Sequence, residues 1–200
     1  MRLFRAQSVK QIQMCYQWLE SLNMSPILTR EPGGTELGTD LRKLLLEKSH
    51  NNPIGEITEL LLYAADRAQH IAEKLKPNLA ANKFILCDRY TDSTIAYQGY
   101  GRGLSFNLIN QLNQIATGGL ESDLTIWLDV DVEVGLSRKR GQSAPDRIEQ
   151  ETIEFHRRVQ HGYMELHKLN PYRIVRIDGN ADKNIIQKKY RKCYEIFYFQ

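Results

Sequence analysis

The sequence has few cysteines and no long apolar run, and these absences exclude several classes of protein. Its three cysteines, Cys15, Cys87 and Cys193, are far apart and form no CxxC pair. We therefore expect neither a disulfide framework nor a cysteine-based metal site, and a reducing, cytoplasmic location is favoured. No segment approaches the roughly 20 apolar residues of a membrane-spanning helix. The N-terminal residues lack the apolar core of a signal peptide, so we expect no leader.

The sequence also has little net charge. Its 27 basic and 24 acidic residues leave a formal charge of +3. This balance is too even to indicate a nucleic-acid or membrane partner, but it is compatible with a small anionic substrate. The 200 residues, of which 42% are hydrophobic, suffice for a substantial core, and we expect a single domain over 1–200.

Short β-rich runs alternate with helical patterns along the chain. Near-continuous apolar runs predict strands at 26–29, 84–87, 124–128 and 173–177. Such runs are typical of parallel strands that are covered on both faces. Helical spacing predicts helices at 8–22, 36–47, 57–72, 105–116, 131–139, 149–168 and 182–197. Strands separated by helices indicate an α/β fold with a doubly wound parallel sheet, which binds ligands at the carboxyl ends of its strands.

Polar segments follow the first two predicted strands. A Pro-Gly-Gly turn comes after 26–29, with Arg30 and Glu31 before it and Arg42 beyond it. Glycine lets a backbone approach a ligand closely, although an ordinary loop has the same composition. Asp88 and Arg89 come after 84–87. The acid can hold Mg²⁺ through water and the arginine can clamp a phosphate, but a buried Asp–Arg pair that braces the sheet has the same sequence.

Two further patterns allow a functional and a structural interpretation. Tyr63 and Arg67 share a helix face. Either they contact a nucleobase there, or the tyrosine packs in the core and the arginine lies at the surface. The basic run before Gly141 predicts either a mobile lid over about 138–148 or a solvated helix end. The five histidines have no ligand-like spacing, and we interpret them as surface or helix residues.

Five motifs, taken together and in order, resemble bacterial thymidylate kinase. They are Thr29-Arg-Glu-Pro-Gly-Gly-Thr-Glu-Leu-Gly, Tyr63-Ala-Ala-Asp-Arg-Ala-Gln-His, Asp88-Arg-Tyr with Ala96-Tyr-Gln-Gly, Arg138-Lys-Arg-Gly, and Asp146-Arg-Ile-Glu-Gln-Glu. The resemblance runs from about Lys10 to Asp178, and five motifs at matching spacing are far more specific than any one of them. It implies the fold of the P-loop nucleoside monophosphate kinases.

The resemblance implies roles for residues around the base and sugar of dTMP. Tyr63 matches the aromatic residue that stacks on thymine, and Arg67 matches the arginine that bonds a thymine carbonyl. Tyr97 matches the tyrosine that crowds the sugar 2′ position and so selects deoxyribose. The stretch that contacts the base supplies the other substrate-binding candidates, Ser93, Thr94 and Gln98.

The resemblance also implies a phosphate and metal region. Arg42 and Arg89 match cations on the monophosphate. Glu31 and Asp88 are expected near the phosphates and the metal. Asp88 is in addition a catalytic candidate and the implied ligand of Mg²⁺, through water.

Three arginines of the predicted lid have implied roles. Arg140 is the expected catalytic arginine, Arg138 assists it, and Arg147 is an ATP-binding residue. The implied reaction transfers the γ-phosphoryl group of ATP to dTMP, with Mg²⁺, and gives dTDP and ADP. The resemblance further implies a homodimer that forms through helical faces, in the cytoplasm and without a nucleic-acid or membrane partner.

The sequence departs from the family pattern near its start. The family begins with a hydrophobic strand and a glycine-rich loop ending Gly-Lys-Ser/Thr, which cradles the ATP phosphates. Residues 5–10 fall where this loop belongs, contain no glycine, and have Ser8 in the place of the lysine and Val9 in that of the metal-binding hydroxyl. We therefore expect no P-loop, impaired catalysis, and a sheet that lacks its central first strand.

These observations leave three functional hypotheses. The chain is a thymidylate kinase by descent with weak or absent activity, a non-catalytic dTMP-binding or dimerising protein, or a kinase for a different monophosphate. Tyr97 argues against a ribonucleotide substrate for the third.

Overall fold

The computed structural model describes residues 2–6, 9–47, 53–139 and 145–198. Its strands form one five-stranded sheet in which all pairs are parallel. The strands are β1 (Arg2–Ala6), β2 (Ile27–Arg30), β3 (Phe84–Asp88), β4 (Leu124–Asp129) and β5 (Ile174–Asp178). Their order across the sheet is β2-β3-β1-β4-β5. The predicted α/β fold with a doubly wound parallel sheet is therefore confirmed.

Helices connect these strands along the chain. They are α1 (Val9–Ser21), α2 (Glu36–Leu46), α3 (Glu56–His70), α4 (Lys76–Ala80), α5 (Thr91–Thr94), α6 (Phe106–Thr117), α7 (Val132–Lys139), α8 (Ile153–Leu169) and α9 (Lys183–Tyr198). Two π-helical segments, Ile71–Leu75 and Ile95–Gly101, continue α3 and α5. No helix within the described ranges is both long and apolar enough to cross a membrane.

Alternate residues of the strands pack on opposite faces of the sheet. Phe84 and Leu86 of β3 join a cluster with residues of α1 and α9. Ile85 and Cys87 join another with residues 71–79. Trp127 of β4 packs with residues of α8. Because successive side chains of a strand point to opposite faces, these clusters cover both faces, which explains why the strands are near-continuously apolar.

The expectation that the central strand is missing is wrong. Arg2–Ala6 forms β1, which pairs with β3 over its whole length, from Arg2 opposite Phe84 to Ala6 opposite Asp88. It also pairs with β4, where Phe4 lies opposite Leu124. The strand fills the middle of the sheet because β3 and β4 would otherwise each expose an edge of unpaired backbone groups. Residues 5 and 6, which were expected in the phosphate loop, therefore belong to this strand.

The sheet brings the polar segments after its strands to one edge. Arg30 at the end of β2 lies opposite Asp88 at the end of β3. In parallel strands such residues mark the same carboxyl edge, where ligands of doubly wound sheets bind. The candidate site is built around this edge.

Candidate functional site

A polar cavity at the carboxyl edge of the sheet collects almost all the predicted substrate-binding residues. About 270 Å³ of non-atom space, part of it open to solvent, lies between its walls. It is lined by Glu31, Tyr63, Arg67, Arg89, Ser93, Thr94, Tyr97 and Gln98. These residues come from three separate stretches of the chain, so the fold places together what the sequence keeps apart. Of the predicted substrate-binding residues, Arg42 alone is not part of this lining.

A buried ion pair forms the floor of the cavity. Glu31 accepts a hydrogen bond from Nε of Arg67 at 2.8 Å, and both side chains are almost completely buried. The second oxygen of Glu31 lies 2.8 Å from Nδ1 of His70. Burial opposes ionisation of Glu31, but the charge of Arg67 and the contact with His70 outweigh it and lower the pKa of the carboxyl group. Glu31 therefore holds the arginine in place instead of facing an open metal site.

Arg67 has further partners that fix its position. Its Nη1 donates to Thr94 Oγ1 at 2.9 Å and to Asn113 Oδ1 at 2.8 Å. Its guanidinium carbon lies 5.5 Å from the centre of the Tyr90 ring. Arg67 is only 2% exposed, so the alternative of a surface arginine is wrong. A guanidinium held from several sides has little freedom left to lose when a ligand binds.

His70 is also not a surface residue. It is completely buried, and its Nε2 lies 2.7 Å from Thr29 Oγ1. A Cβ added at Gly34 would lie 2.5 Å from the imidazole ring. The Pro-Gly-Gly turn therefore needs glycine here because its backbone packs on His70, not because a ligand approaches it.

Asp66 holds the other glycine of this turn. Gly33 has φ of +104°, a conformation that glycine adopts readily, and its N–H donates to Asp66 Oδ1 at 2.9 Å. Oδ2 of Asp66 is buried and has no hydrogen-bond partner among the described residues. Because the charged form is poorly solvated, burial raises the pKa of Asp66 to about 6.

Three arginines place positive charge beside the cavity. Burial and the nearby charges of Arg30 and Arg89 lower the pKa of Arg42. Arg42 is half-buried, and its Nη1 donates to the carbonyl of Pro32 at 3.0 Å. Arg89 lies over the Tyr97 ring at 4.7 Å and has φ of +72°, in the left-handed region that non-glycine residues rarely adopt. Such a concentration of cations suits a phosphate, and strain of this kind clusters at functional sites.

Aromatic packing fixes the Tyr97 wall of the cavity. The ring of Tyr97 meets Phe155 at 6.2 Å and Tyr163 at 6.5 Å, both edge-on. Ser93 Oγ lies 3.0 Å from the hydroxyl of Tyr163. Burial raises the pKa of Tyr63 well above its ordinary value, so this ring is neutral at physiological pH. The wall thus offers aromatic surface, which suits a planar base or a sugar.

Asp88 stays the predicted ligand of a divalent metal. It ends β3 beside Arg89, at the carboxyl edge of the sheet. The described part of the chain has no cluster of three or more His, Cys, Asp or Glu side chains that could hold a metal ion. Mg²⁺ in kinases is commonly held by one or two carboxylates, water and the phosphates of the substrate. A single carboxylate is therefore compatible with Mg²⁺, whereas a preformed all-protein site is not present in these residues.

Of the three arginines of the predicted lid, the structure describes Arg138 and Arg147, and each bonds to a different part of the fold. Arg138 is exposed, and its Nη1 donates to the carbonyl of Gly179 at 3.1 Å. Arg147 donates from Nε to the carbonyl of Leu45 at 2.8 Å and from Nη2 to Glu59. Arg140 lies outside the described residues. Arg147 is thus tied to α2 and α3, so the lid expected over about 138–148 does not extend freely to this residue.

Sequence reasoning missed the buried residues that support the site. Asp66, His70 and Asn113 each bond to a loop or side chain of the cavity. Glu59 accepts hydrogen bonds from Gln98, which lines the cavity. A signal was present for the first two, because Asp66 and His70 are within the same helical motif as Arg67. Their partners, 33 and 39 residues away along the chain, were not visible.

A parallel α/β sheet with a cation-rich, aromatic cavity at its carboxyl edge defines a protein of the nucleotide-binding class. Comparison with known proteins identifies the family. A family model described as thymidylate kinase matches residues 10–190. A thymidylate kinase of Nostoc punctiforme is 71% identical over 179 residues, which cover 89% of this chain and 85% of the relative. One of Trichodesmium erythraeum is 59% identical, covering 84% of this chain and 75% of the relative.

A solved structure agrees with these sequence comparisons. The crystal structure of thymidylate kinase from Ehrlichia chaffeensis matches with a TM-score of 0.78 and 30% sequence identity, over 98% of each chain. The chain therefore belongs to the thymidylate kinase family, a family of phosphotransferases. The resemblance inferred from the five motifs is confirmed.

The raised pKa of Asp66 predicts how stability depends on pH. The folded protein binds the Asp66 proton more tightly than the unfolded chain, whose aspartates titrate near pH 3.9. This contribution to stability is present below about pH 4 and is lost as pH rises through about 6. As pH rises across that window, the free energy of unfolding of the wild type should fall by about 3 kcal/mol relative to that of Asp66→Asn. Each pKa unit is worth about 1.4 kcal/mol. Urea unfolding between pH 4 and 7.5 measures the difference, and a difference independent of pH would contradict the prediction.

Proposed function

We propose that this chain binds dTMP in the cavity and, as a member of a kinase family, phosphorylates it to dTDP with ATP and Mg²⁺. The observation that carries the proposal is the lining of the cavity. Eight of the residues that the family pattern relates to dTMP surround one space. Arg42, the ninth, lies close enough to Arg89 for the charge of one to lower the pKa of the other.

The arrangement of side chains supports a nucleoside monophosphate as the acceptor. Tyr63 and Tyr97 supply aromatic surface for the base and the deoxyribose, and Arg67 faces a base carbonyl. Arg30, Arg42 and Arg89 place charge where the monophosphate would lie. In the reaction, a phosphate oxygen of dTMP attacks the γ-phosphorus and the bond to the β–γ bridging oxygen breaks, so charge on the transferred group must be stabilised. Arg89 and Asp88, the latter through Mg²⁺, are the described residues suited to this.

The ATP side is less complete than the dTMP side. A phosphate loop uses glycine to bring backbone N–H groups to the β- and γ-phosphates. Here β1 ends at Ala6 and α1 begins at Val9, and the sequence has no glycine before Gly33. The sequence between Ala6 and Val9 therefore lacks the glycines that usually hold the ATP phosphates. We propose that phosphoryl transfer is weak, since loss of even one preorganised donor costs roughly 100-fold or more in rate.

The same observation favours a second candidate, a dTMP-binding protein without catalysis. Two measurements on the wild-type chain distinguish the candidates. Calorimetry should show binding of dTMP in the micromolar range, and a coupled assay of ADP release with dTMP, ATP and Mg²⁺ should show slow turnover. Binding without any turnover would favour the second candidate. Rapid turnover would overturn the proposed impairment, and absence of dTMP binding would refute both candidates.

Arg42 tests the proposed position of the monophosphate. Arg42→Ala should weaken dTMP binding by about 10- to 100-fold, because a hydrogen bond between charged groups is worth about 1.5–3 kcal/mol. Lys43→Ala is the matched control. Lys43 is the next residue of α2, but it is 59% exposed and pairs with Asp40. Calorimetry should find the affinity of Lys43→Ala for dTMP unchanged. Equal effects of the two substitutions would contradict the proposed contact between Arg42 and the monophosphate.

The predicted homodimer has a candidate surface on α2 and α3. Leu37 and Leu44 of α2 are 50% and 47% exposed, and Ile57 and Leu61 of α3 are 47% and 50% exposed. Each pair shares a helix face by its spacing, and the two helices pack together. Exposed apolar residues that cluster in this way suit an interface.

A charge in this surface should separate the protomers. We expect light scattering to give the mass of a dimer for the wild type and of a monomer for Leu61→Glu. Ile115→Glu on α6 is the control, because Ile115 is exposed to 77% but is not part of the proposed surface. A wild-type monomer at micromolar concentration would refute the prediction.

A further inference from the structure

Glu59 is a buried carboxylate beside the cavity that no family motif quoted above includes. It is 1% exposed and lies in the first turn of α3. Its Oε1 accepts a hydrogen bond from Nε2 of Gln98 at 2.7 Å and a longer one from Nε of Arg102 at 3.3 Å. Its Oε2 accepts from Nη2 of Arg102 at 3.1 Å and from Nη2 of Arg147. Glu59 therefore connects a residue of the cavity with two arginines behind it.

The ionisation of Glu59 fixes which end of the Gln98 amide it meets. Burial opposes ionisation, but hydrogen bonds from Arg102 and its other donors outweigh burial and lower the pKa of Glu59. An ionised carboxylate is only an acceptor. The amide group that faces it must therefore be the Nε2 donor, and Oε1 of Gln98 must point the other way.

The orientation of Gln98 gives the cavity a defined hydrogen-bonding pattern. Gln98 lines the cavity, and its Oε1 has no hydrogen-bond partner within the described part of the chain. Arg67 lines the same cavity, and its Nη2 also has no hydrogen-bond partner among the described residues. Gln98 and Arg67 thus offer an acceptor and a donor. A pyrimidine with a carbonyl next to a ring N–H, as in thymine, complements this pair, whereas cytosine has an amino group next to a bare ring nitrogen.

We propose that Glu59 is a positioning residue that sets the Gln98 amide and thereby selects thymine over cytosine. The inference rests on the proposed function, since it assumes that the base of dTMP enters this cavity. Glu59 does not touch the nucleotide. It acts through Gln98, as a fixed acceptor that makes one of the two amide orientations unfavourable.

The substitution Glu59→Gln should reverse this orientation. Two arginine donors meet the Oε2 position, whereas Gln98 and the longer bond from Arg102 Nε meet the Oε1 position. Of these donors only the Gln98 amide can become an acceptor by turning, so the new amide keeps its oxygen at the Oε2 position. Its NH₂ group then occupies the Oε1 position and faces Gln98. Two donors cannot bond to each other, so the Gln98 amide turns, gives its oxygen to the new residue and presents Nε2 to the cavity.

The selectivity between dTMP and dCMP measures this turn. Calorimetry gives the dissociation constant of each nucleotide, and the ratio for dCMP over dTMP should be large in the wild type. In Glu59→Gln the ratio should fall by about 10- to 100-fold, as expected for one mismatched buried hydrogen bond. A folded Glu59→Gln variant that binds both nucleotides more weakly but with an unchanged ratio would overturn the inference.

Two further variants make the test specific. Glu151 also pairs with Arg102, at 2.7 Å, but Gln98 is not among its contacts, so Glu151→Gln should leave the ratio unchanged. An equal change there would overturn the inference. Glu59→Asp keeps the charge that the arginines need but is one methylene shorter, so it should release Gln98 and lower the ratio. If circular dichroism shows that Glu59→Gln does not fold, Glu59→Asp tests whether Glu59 orients Gln98.

The failure of the inference is distinguishable from that of the proposed function. A wild-type chain that does not bind dTMP refutes the proposed function and this inference together. A wild-type chain that binds dTMP selectively, with the same selectivity in both Glu59 variants, overturns the role of Glu59 alone.

Discussion

The buried ion pair between Glu31 and Arg67 is the interaction on which the rest of the site depends. It joins the loop after β2 to α3, and His70 and Thr94 extend it to the end of β2 and to the segment after β3. Removing one partner of such a pair commonly costs about 3–5 kcal/mol, because the other charge is left buried and unpaired. The pair therefore fixes the geometry of the cavity. Neither Glu31 nor Arg67 can be replaced alone without that cost.

Two other polar residues of the cavity are also paired with neighbouring side chains. Gln98 meets Glu59, and Ser93 meets the hydroxyl of Tyr163. Buried polar groups need partners, and these side chains find theirs in each other, whereas Oδ2 of Asp66 has none among the described residues. Under the proposed function, a nucleotide would meet side chains that are already oriented. Less conformational freedom is lost on binding, and a base with the wrong pattern meets groups that cannot turn to suit it.

The parts of this structure that local sequence determines were predictable, and the parts that depend on distant partners were not. Apolar runs at 84–87 and 124–128 indicated β3 and β4 because burial on both faces leaves a local pattern. Arg2–Ala6 was missed as β1 because two of its five residues are arginines, and only its position between two strands makes it a strand. Glu59 and His70 were missed for a related reason: helical periodicity shows that they share a helix with Arg67 but not what they meet across the fold.

The two halves of the site make different demands on the chain. The proposed dTMP site takes its side chains mainly from α3 and from the segment after β3. The sheet brings these elements together, and β1 pairs with both β3 and β4. A phosphate cradle instead needs backbone N–H groups in a glycine-rich turn directly after a strand. A five-residue strand of ordinary composition can complete the sheet, but it cannot supply that turn. Under the proposed function, acceptor binding therefore depends on packing, whereas phosphoryl transfer depends on a specific backbone geometry.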